Sequence, residues 1–346
     1  MLRMKRGFDV SAVVQRDSQV SHNNPTILRN GEPEKTSGFR TDVFFDEAMT
    51  FIENSKDVPF FTYLATYSPH TPLGCPKEFS VGIGPFFGMI ANIDYNLGLL
   101  LKHLDELKLT KKTLIICIND NGATMGMDRY NAGMRGAKSS CWRGGTRAFS
   151  FWYWPGVLKP ATVDEMAAHI DVFPTLAELA GCELPEETTD KLDGISLVPL
   201  LRGEETNRSR YDDRMIFTHR ARWESIADWH KDTSSGVRWK KYALISQSWD
   251  CGHEKCRSCR YTAKRTHIVY TKNYEKHYGK TKGWELYDLA TDPGQEQNIA
   301  AENPEVLGKM KAAYNQWWEE CRPLMINEKA PPKEQLRNLG RSRQIK

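Results

Sequence analysis

The sequence has no long hydrophobic run. None of its apolar stretches approaches the ~18 residues that a membrane-spanning helix needs. The basic start, Met1-Leu2-Arg3-Met4-Lys5-Arg6, has no apolar segment behind it, so it does not read as a signal peptide. Net charge is also scarce: 48 Lys and Arg against 44 Asp and Glu leave +4, much of it at the two ends. No basic face interleaved with aromatics is visible, which argues against a nucleic-acid partner. There is no internal repeat. The 8 cysteines are scattered and form no finger-like framework. One group stands apart, Cys251-Gly252-His253-Glu254-Lys255-Cys256-Arg257-Ser258-Cys259. It could hold zinc, form a disulfide or carry free thiols, and the spacing does not choose. What remains is an ordinary globular composition, 40% hydrophobic and 27% charged, in 346 residues that can fill more than one folding unit.

Periodicity predicts an α/β chain. Residues 7–40 are polar and read as loop, and a short helix follows with Thr41 or Asp42 as its cap and Phe44, Ala48 and Phe51 on one face. Val58 to Ala65 reads as a strand, stopped by Pro69 and Pro72. Met89, Ile93, Leu97, Leu100, Leu104 and Leu107 form the apolar stripe of a helix. Leu114 to Ile118 then reads as a buried strand, giving the β-α-β rhythm of a sheet flanked by helices. Residues 122–150 are rich in glycine and arginine and form a long loop, of the kind that is usually functional. Phe151 to Trp154 reads as a strand, and residues 171–181 as a helix with Pro174 in its first turn and Gly181 at its end. Beyond residue 205, three short strands around Ile216, Leu244 and Leu286 and a helix started by Asn303-Pro304 predict a small antiparallel sheet with one packed helix. The expected divisions are 1–205, 206–325 and a basic, disordered tail at 326–346.

Three polar centres stand out. Asp120-Asn121-Gly122 ends the strand at Ile118. These residues can make a turn, or supply two hard oxygen ligands of the kind Ca²⁺ or Mg²⁺ prefers. His70 follows the Val58–Ala65 run, and Lys138 sits in the glycine-rich loop. A metal, an imidazole and an ammonium together suit an anionic ester. The cations neutralise the oxyanion and the imidazole hands a proton to the leaving oxygen. Each residue also has an ordinary reading: His70 as a capped loop histidine, Lys138 as a solvated lysine, Arg135 and Arg147 as surface charges.

Taken in order, these segments resemble the sulfatase family. The resemblance runs through Pro59-Phe60-Phe61, Ser68-Pro69-His70-Thr71-Pro72, Ile93-Asp94, Asn119-Asp120-Asn121-Gly122 and Arg135-Gly136-Ala137-Lys138. It continues through His169-Ile170-Asp171, Pro174-Thr175-Leu176, Ala180-Gly181, Leu192-Asp193-Gly194 and Leu286-Tyr287-Asp288-Leu289 with Asp292-Pro293. It covers about residues 5–322. The resemblance implies an alkaline-phosphatase-like α/β fold with a central, mostly parallel sheet and a smaller C-terminal subdomain. It implies Ca²⁺ or another divalent cation held partly by Asp120 and Asn121, with His70 and Lys138 on the sulfate and leaving oxygen. The substrate would be a sulfate ester, an aryl sulfate or a sulfated carbohydrate, hydrolysed through a covalent sulfated enzyme. Relatives are commonly periplasmic or secreted.

The departures set further expectations. The family nucleophile is a formylglycine made from Cys or Ser in a Cys/Ser-x-Pro-Ser-Arg motif, and no cysteine or serine here begins one. The early Asp pair for the metal is missing too. The reading is therefore a sulfatase chain without its N-terminal portion, carrying part of an active site and exposing an unpaired sheet edge. Arg143 also stands where the family usually has Glu. The alternatives are a phosphodiesterase or phosphonate hydrolase of the same fold, or a non-catalytic binding protein.

Overall fold

The computed structural model describes residues 7–14, 22–80, 82, 84–127, 129–204, 208–220, 231–248 and 279–325. The basic start, the Cys251–Cys259 group and the 326–346 tail lie outside the described residues. The chain divides into two compact units, Met1–Cys117 with Ser150–Pro160, and Ile118–Phe149 with Ala161–Lys346.

The first unit begins where only loop is expected. Strands β1 (Ala12–Val14), β2 (Thr26–Arg29) and β3 (Glu32–Lys35) form an antiparallel sheet in that order. Asn30 and Gly31 make the β2–β3 turn with φ of 49° and 98°, the pair of positive values that a two-residue hairpin requires. The strands are too short to show a period, and Glu-Pro-Glu-Lys in β3 has no apolar residue to betray it.

Helix α1 (Arg40–Asn54) has Phe39 at its cap position, two residues before Thr41, the earlier of the two expected caps. Its buried face is Val43, Phe45, Ala48 and Ile52; of the predicted residues Ala48 is buried and Phe51 packs half-buried against the core, while Phe44 lies outside it. Asp42 does not cap the helix. Its Oδ1 accepts the side-chain amides of Asn92 and Asn96 at 2.7 Å each. Those asparagines belong to α2 (Gly84–Glu106), where they are buried beside Met89 and Leu104. The predicted stripe is therefore correct at its two ends and interrupted by a polar link to α1 in the middle. Ile52, Leu104 and Leu109 close the core of this unit against Phe60, Leu100 and Ile115.

Val58 to Ala65 does not form a strand. A strand exists only where a neighbour completes its ladder, and none of the described residues pairs with this run. Strand β4 (Ile115–Ile118) pairs with β5 (Ser150–Tyr153), as its composition predicts. It is half-buried rather than buried, and Ile118 is exposed.

The second unit carries the antiparallel sheet β6 (Met215–His219), β7 (Ser235–Trp239), β8 (Tyr242–Ser246) and β9 (Glu285–Asp288), in that order. The sequence pattern reveals three of these and misses β7. The long helix Pro304–Met325 packs on one face, where Met310, Tyr314 and Trp318 meet Val237, Leu244 and Leu286. The other face, with Ala243, Ile245 and Tyr287, is covered by Cys141 and Trp142. A 3-10 turn at His169–Asp171 leads into α4 (Val172–Leu179). Gly181 ends it at φ 66°, the left-handed stop the sequence predicts.

Candidate active site

Asn119 shapes the turn after β4. Its Nδ2 donates to Asn121 O at 2.6 Å, and its Oδ1 accepts from Phe149 N at 2.6 Å. Its backbone O lies 2.8 Å from His169 Nε2. These bonds satisfy the turn internally and leave the next two side chains for other work. Asp120 is exposed and Asn121 half-buried. Neither side chain has a hydrogen-bond partner among the described residues.

Gly122 follows because nothing larger fits. A Cβ there would lie 1.7 Å from Gly144 O. Gly122 N donates to Gly145 O at 3.0 Å, and Lys138 N donates to Ala123 O at 3.0 Å. Two hydrogen bonds thus tie the Asp-Asn-Gly turn to the glycine-rich loop and set the Lys138 backbone against Ala123, two residues after Asn121. The Lys138 ammonium has no ion pair among the described residues.

The loop is held by polar contacts rather than by secondary structure. Ser140 Oγ donates to Ala137 O at 2.7 Å, and Asn131 Nδ2 donates to Met134 O and Gly136 O. The Arg135 guanidinium stacks 3.8 Å over the Trp142 ring and donates to Gln295 O, so Arg135 is a structural clamp. Gln295 is fully buried, and its Oε1 accepts from Arg143 N at 2.7 Å. Arg143 opens the single turn α3 (Arg143–Thr146). Burial, and then the charge of Arg147, hold its guanidinium below the usual arginine range.

His70 lies in the first unit. Its Nδ1 is 2.6 Å from Thr71 O. A carbonyl can only accept, so Nδ1 carries a proton, and Nε2 has no hydrogen-bond partner among the described residues. The Tyr67 ring meets His70 edge-on at 5.3 Å and sits under Arg40, whose guanidinium is 3.8 Å from its centroid. Arg40 is buried and also bonds His22 Nδ1 at 3.2 Å.

Sequence reasoning therefore places the metal-type oxygens and the lysine on adjoining loops. It misses Asn119, Gln295 and Arg40, which hold the candidates in place. The Asn beside Asp120-Asn121 was the one available signal. The donor set suits a hard divalent cation in type. Ca²⁺ takes about 6–8 oxygens, and no group of three His, Cys, Asp or Glu side chains is assembled for a metal among the described residues. Asp120 and Asn121 can supply part of a shell, and Lys138 can offset the charge of an oxyanion.

The sulfatase family model matches residues 4–182. An uncharacterized sulfatase of Escherichia coli K12, YdeN, is 28% identical over 338 residues, covering 92% of this chain and 57% of its own length. Human arylsulfatase A is 31% identical over 269 residues, covering 74% of this chain and 48% of its own. The crystal structure of Ps i-CgsB in complex with k-i-k-neocarrahexaose superposes with a TM-score of 0.66 at 24% identity, over 84% of this chain and 57% of that one. The fold is thus the alkaline-phosphatase-like α/β fold. The chain spans about half the length of the curated relatives it matches. On the family match, and on its likeness to arylsulfatase A across three quarters of its length, this protein belongs to the sulfatase family.

Proposed function

We propose that this chain serves the hydrolysis of sulfate monoesters and supplies one part of the active site: Asp120 and Asn121 as metal ligands, Lys138 and His70 as sulfate-facing groups. The observation that carries the reading is the stitched pair of loops. Lys138 N on Ala123 O and Gly122 N on Gly145 O join them, and three polar side chains on those loops have no partner among the described residues. A bound Ca²⁺ would add positive charge against the ester oxygens. Lys138 neutralises sulfate oxygens, and His70 Nε2 exchanges a proton with the leaving oxygen while Thr71 O fixes its tautomer. No residue of this sequence is assigned the covalent step, because no Cys/Ser-x-Pro-Ser-Arg motif occurs in it. In the same reading, residues 206–325 form a C-terminal subdomain. The substrate class is an aryl sulfate or a sulfated sugar, the first suggested by arylsulfatase A and the second by the oligosaccharide held by Ps i-CgsB.

Calorimetric titration with Ca²⁺ tests the metal ligands. Two oxygens give weak binding, on the order of 1 mM, abolished in Asp120→Ala and Asn121→Ala. Heats unchanged in both variants would remove these ligands from the proposal. Turnover of a chromogenic aryl sulfate by the 346-residue chain should equal that of Asp120→Ala. Clear turnover lost in that variant would show the site to be whole.

A further inference from the structure

The sheet face covered by Cys141 and Trp142 carries a concentration of positive charge that no ion pair relieves among the described residues. On β7, Val237 points to the long helix and its neighbours Gly236 and Arg238 point the other way. A Cβ on Gly236 would be 3.3 Å from Cys141 Cβ. Arg238 is paired across the sheet with Ala243, which belongs to the same cluster as Cys141 and Trp142. The chain then runs from Trp142 directly into α3. Arg143 and Arg147 are four residues apart there, joined by Arg147 N on Arg143 O at 2.8 Å, so they share one side of the turn. Three guanidinium groups therefore converge where the Cys141–Arg147 turn meets β7.

Their donors outnumber the acceptors. Arg238 gives one bond, to Tyr242 O at 3.0 Å. Among the described residues, no ion pair involves Arg143, Arg147 or Arg238. Asp212 is the acid whose charge reaches Arg238, and its Oδ1 is engaged by Met166 N. Glu285 is engaged by Lys282 N and by the Tyr287 hydroxyl. Beside Arg143, the fully buried Gln295 has an Nε2 with no acceptor, and the buried Trp142 Nε1 has none either. Buried donors without acceptors mark a place where an acceptor belongs. Burial and the two neighbouring arginines push Arg238 down to about 10, the direction expected of a cation in want of a counter-ion.

We infer that Arg143, Arg147 and Arg238 form an oxyanion subsite that takes a tetrahedral anion such as a sulfate group. The planar guanidinium fork matches two oxygens of such an anion at once. The subsite adjoins the candidate metal ligands, because α3 is the element that closes on Gly122. It suits a substrate that bears a second anionic group away from the ester being cleaved. The inference stands on its own residues and does not require the sulfatase reading of Asp120 and Lys138.

The test is calorimetry of the full chain with sodium sulfate at ionic strength held constant with NaCl. The wild type should bind sulfate, and phosphate should compete. Arg143→Gln with Arg147→Gln should weaken binding by about tenfold or more. Asp120→Ala with Lys138→Gln, which removes two groups of the candidate active site, should leave the part of the binding that depends on the arginines within about twofold, which separates the two sites. Arg147→Gln alone, at an exposed position, should weaken binding about threefold and decides the matter if the double variant fails to fold. Sulfate binding that survives the arginine substitutions overturns the inference. So does binding lost only in the Asp120 and Lys138 variant, or a wild type that binds sulfate no better than chloride.

Discussion

Asp171 is fully buried, and its carboxylate receives Arg214 at 2.6 Å on both oxygens, Ala168 N at 2.7 Å and Ile195 N at 2.9 Å. One side chain thus joins the start of α4, the Gly194 turn and the strand region after Arg214. Asp171→Asn leaves a largely buried guanidinium without its counter-charge, which costs about 3–5 kcal/mol. A urea denaturation midpoint measures it, and a loss under 1 kcal/mol would mean that solvent reaches the pair. Arg238 is the opposite case. Burial holds its guanidinium at about 10 in the folded protein, below the ordinary arginine range, so between that value and the ordinary range the unfolded state holds more protons and stability rises with pH. At neutral pH the penalty is fully present. Arg238→Met should therefore be more stable than wild type by about 1–3 kcal/mol at pH 7. That advantage should shrink as pH rises through 10, in paired thermal melts. Added sulfate should shrink it as well, which ties this measurement to the arginine subsite.

At this scale the sequence speaks through residue type and spacing. Asp120, Asn121 and Lys138 are legible because each is a chemically specific residue in a short ordered motif. Gln295 is not, because its partner Arg143 is 152 residues away. No local pattern encodes such a pairing. Asp171 is legible only as a helix cap, since the arginine that neutralises it lies 43 residues on.

Among the elements, segments with a clear apolar pattern are read correctly, and short strands without one are not. α2, α4, β4, β5 and the helix Pro304–Met325 all lie where their patterns predict. The β1–β2–β3 sheet is missed despite Asn30-Gly31, because strands of three or four residues cannot display alternation. Val58 to Ala65 errs the other way. Its composition favours a strand, but pairing is a property of two segments, not one. The loop contacts carry the sharpest element-scale prediction. Gly122→Ala would place a Cβ 1.7 Å from Gly144 O and 2.7 Å from Gly144 C, both backbone atoms. The turn and α3 must then separate. We expect a loss of about 1–3 kcal/mol, together with loss of Ca²⁺ and sulfate binding in the same calorimetric titrations. Wild-type binding in Gly122→Ala would show that the two loops need not touch.

For the whole molecule, the alkaline-phosphatase-like fold and the antiparallel sheet with its packed helix follow from the sequence. The division into two compact units does not, since the first unit is made of two separate stretches of chain. That unit leaves large apolar side chains in solvent. Tyr63 is 74% exposed, Phe151 66% and Phe61 57%. Exposed aromatics at this density favour association, and a half-paired edge adds to it. Light scattering over a concentration series should show self-association, reduced in a Phe61→Lys, Phe151→Lys variant. A monodisperse wild type at high concentration would contradict this.

The hold of Gln295 on Arg143 also has a consequence in time. The loop that carries Lys138 is braced by a residue that leaves the ribosome 152 positions after Arg143. At ~5–20 residues per second that delay is about 8–30 s. During synthesis the Asp-Asn-Gly turn and the lysine loop therefore exist for some time without their brace. Cleavage of the chain anywhere between Arg143 and Gln295 would set the same loop loose if the pieces part, although every candidate residue of the active site would still be present.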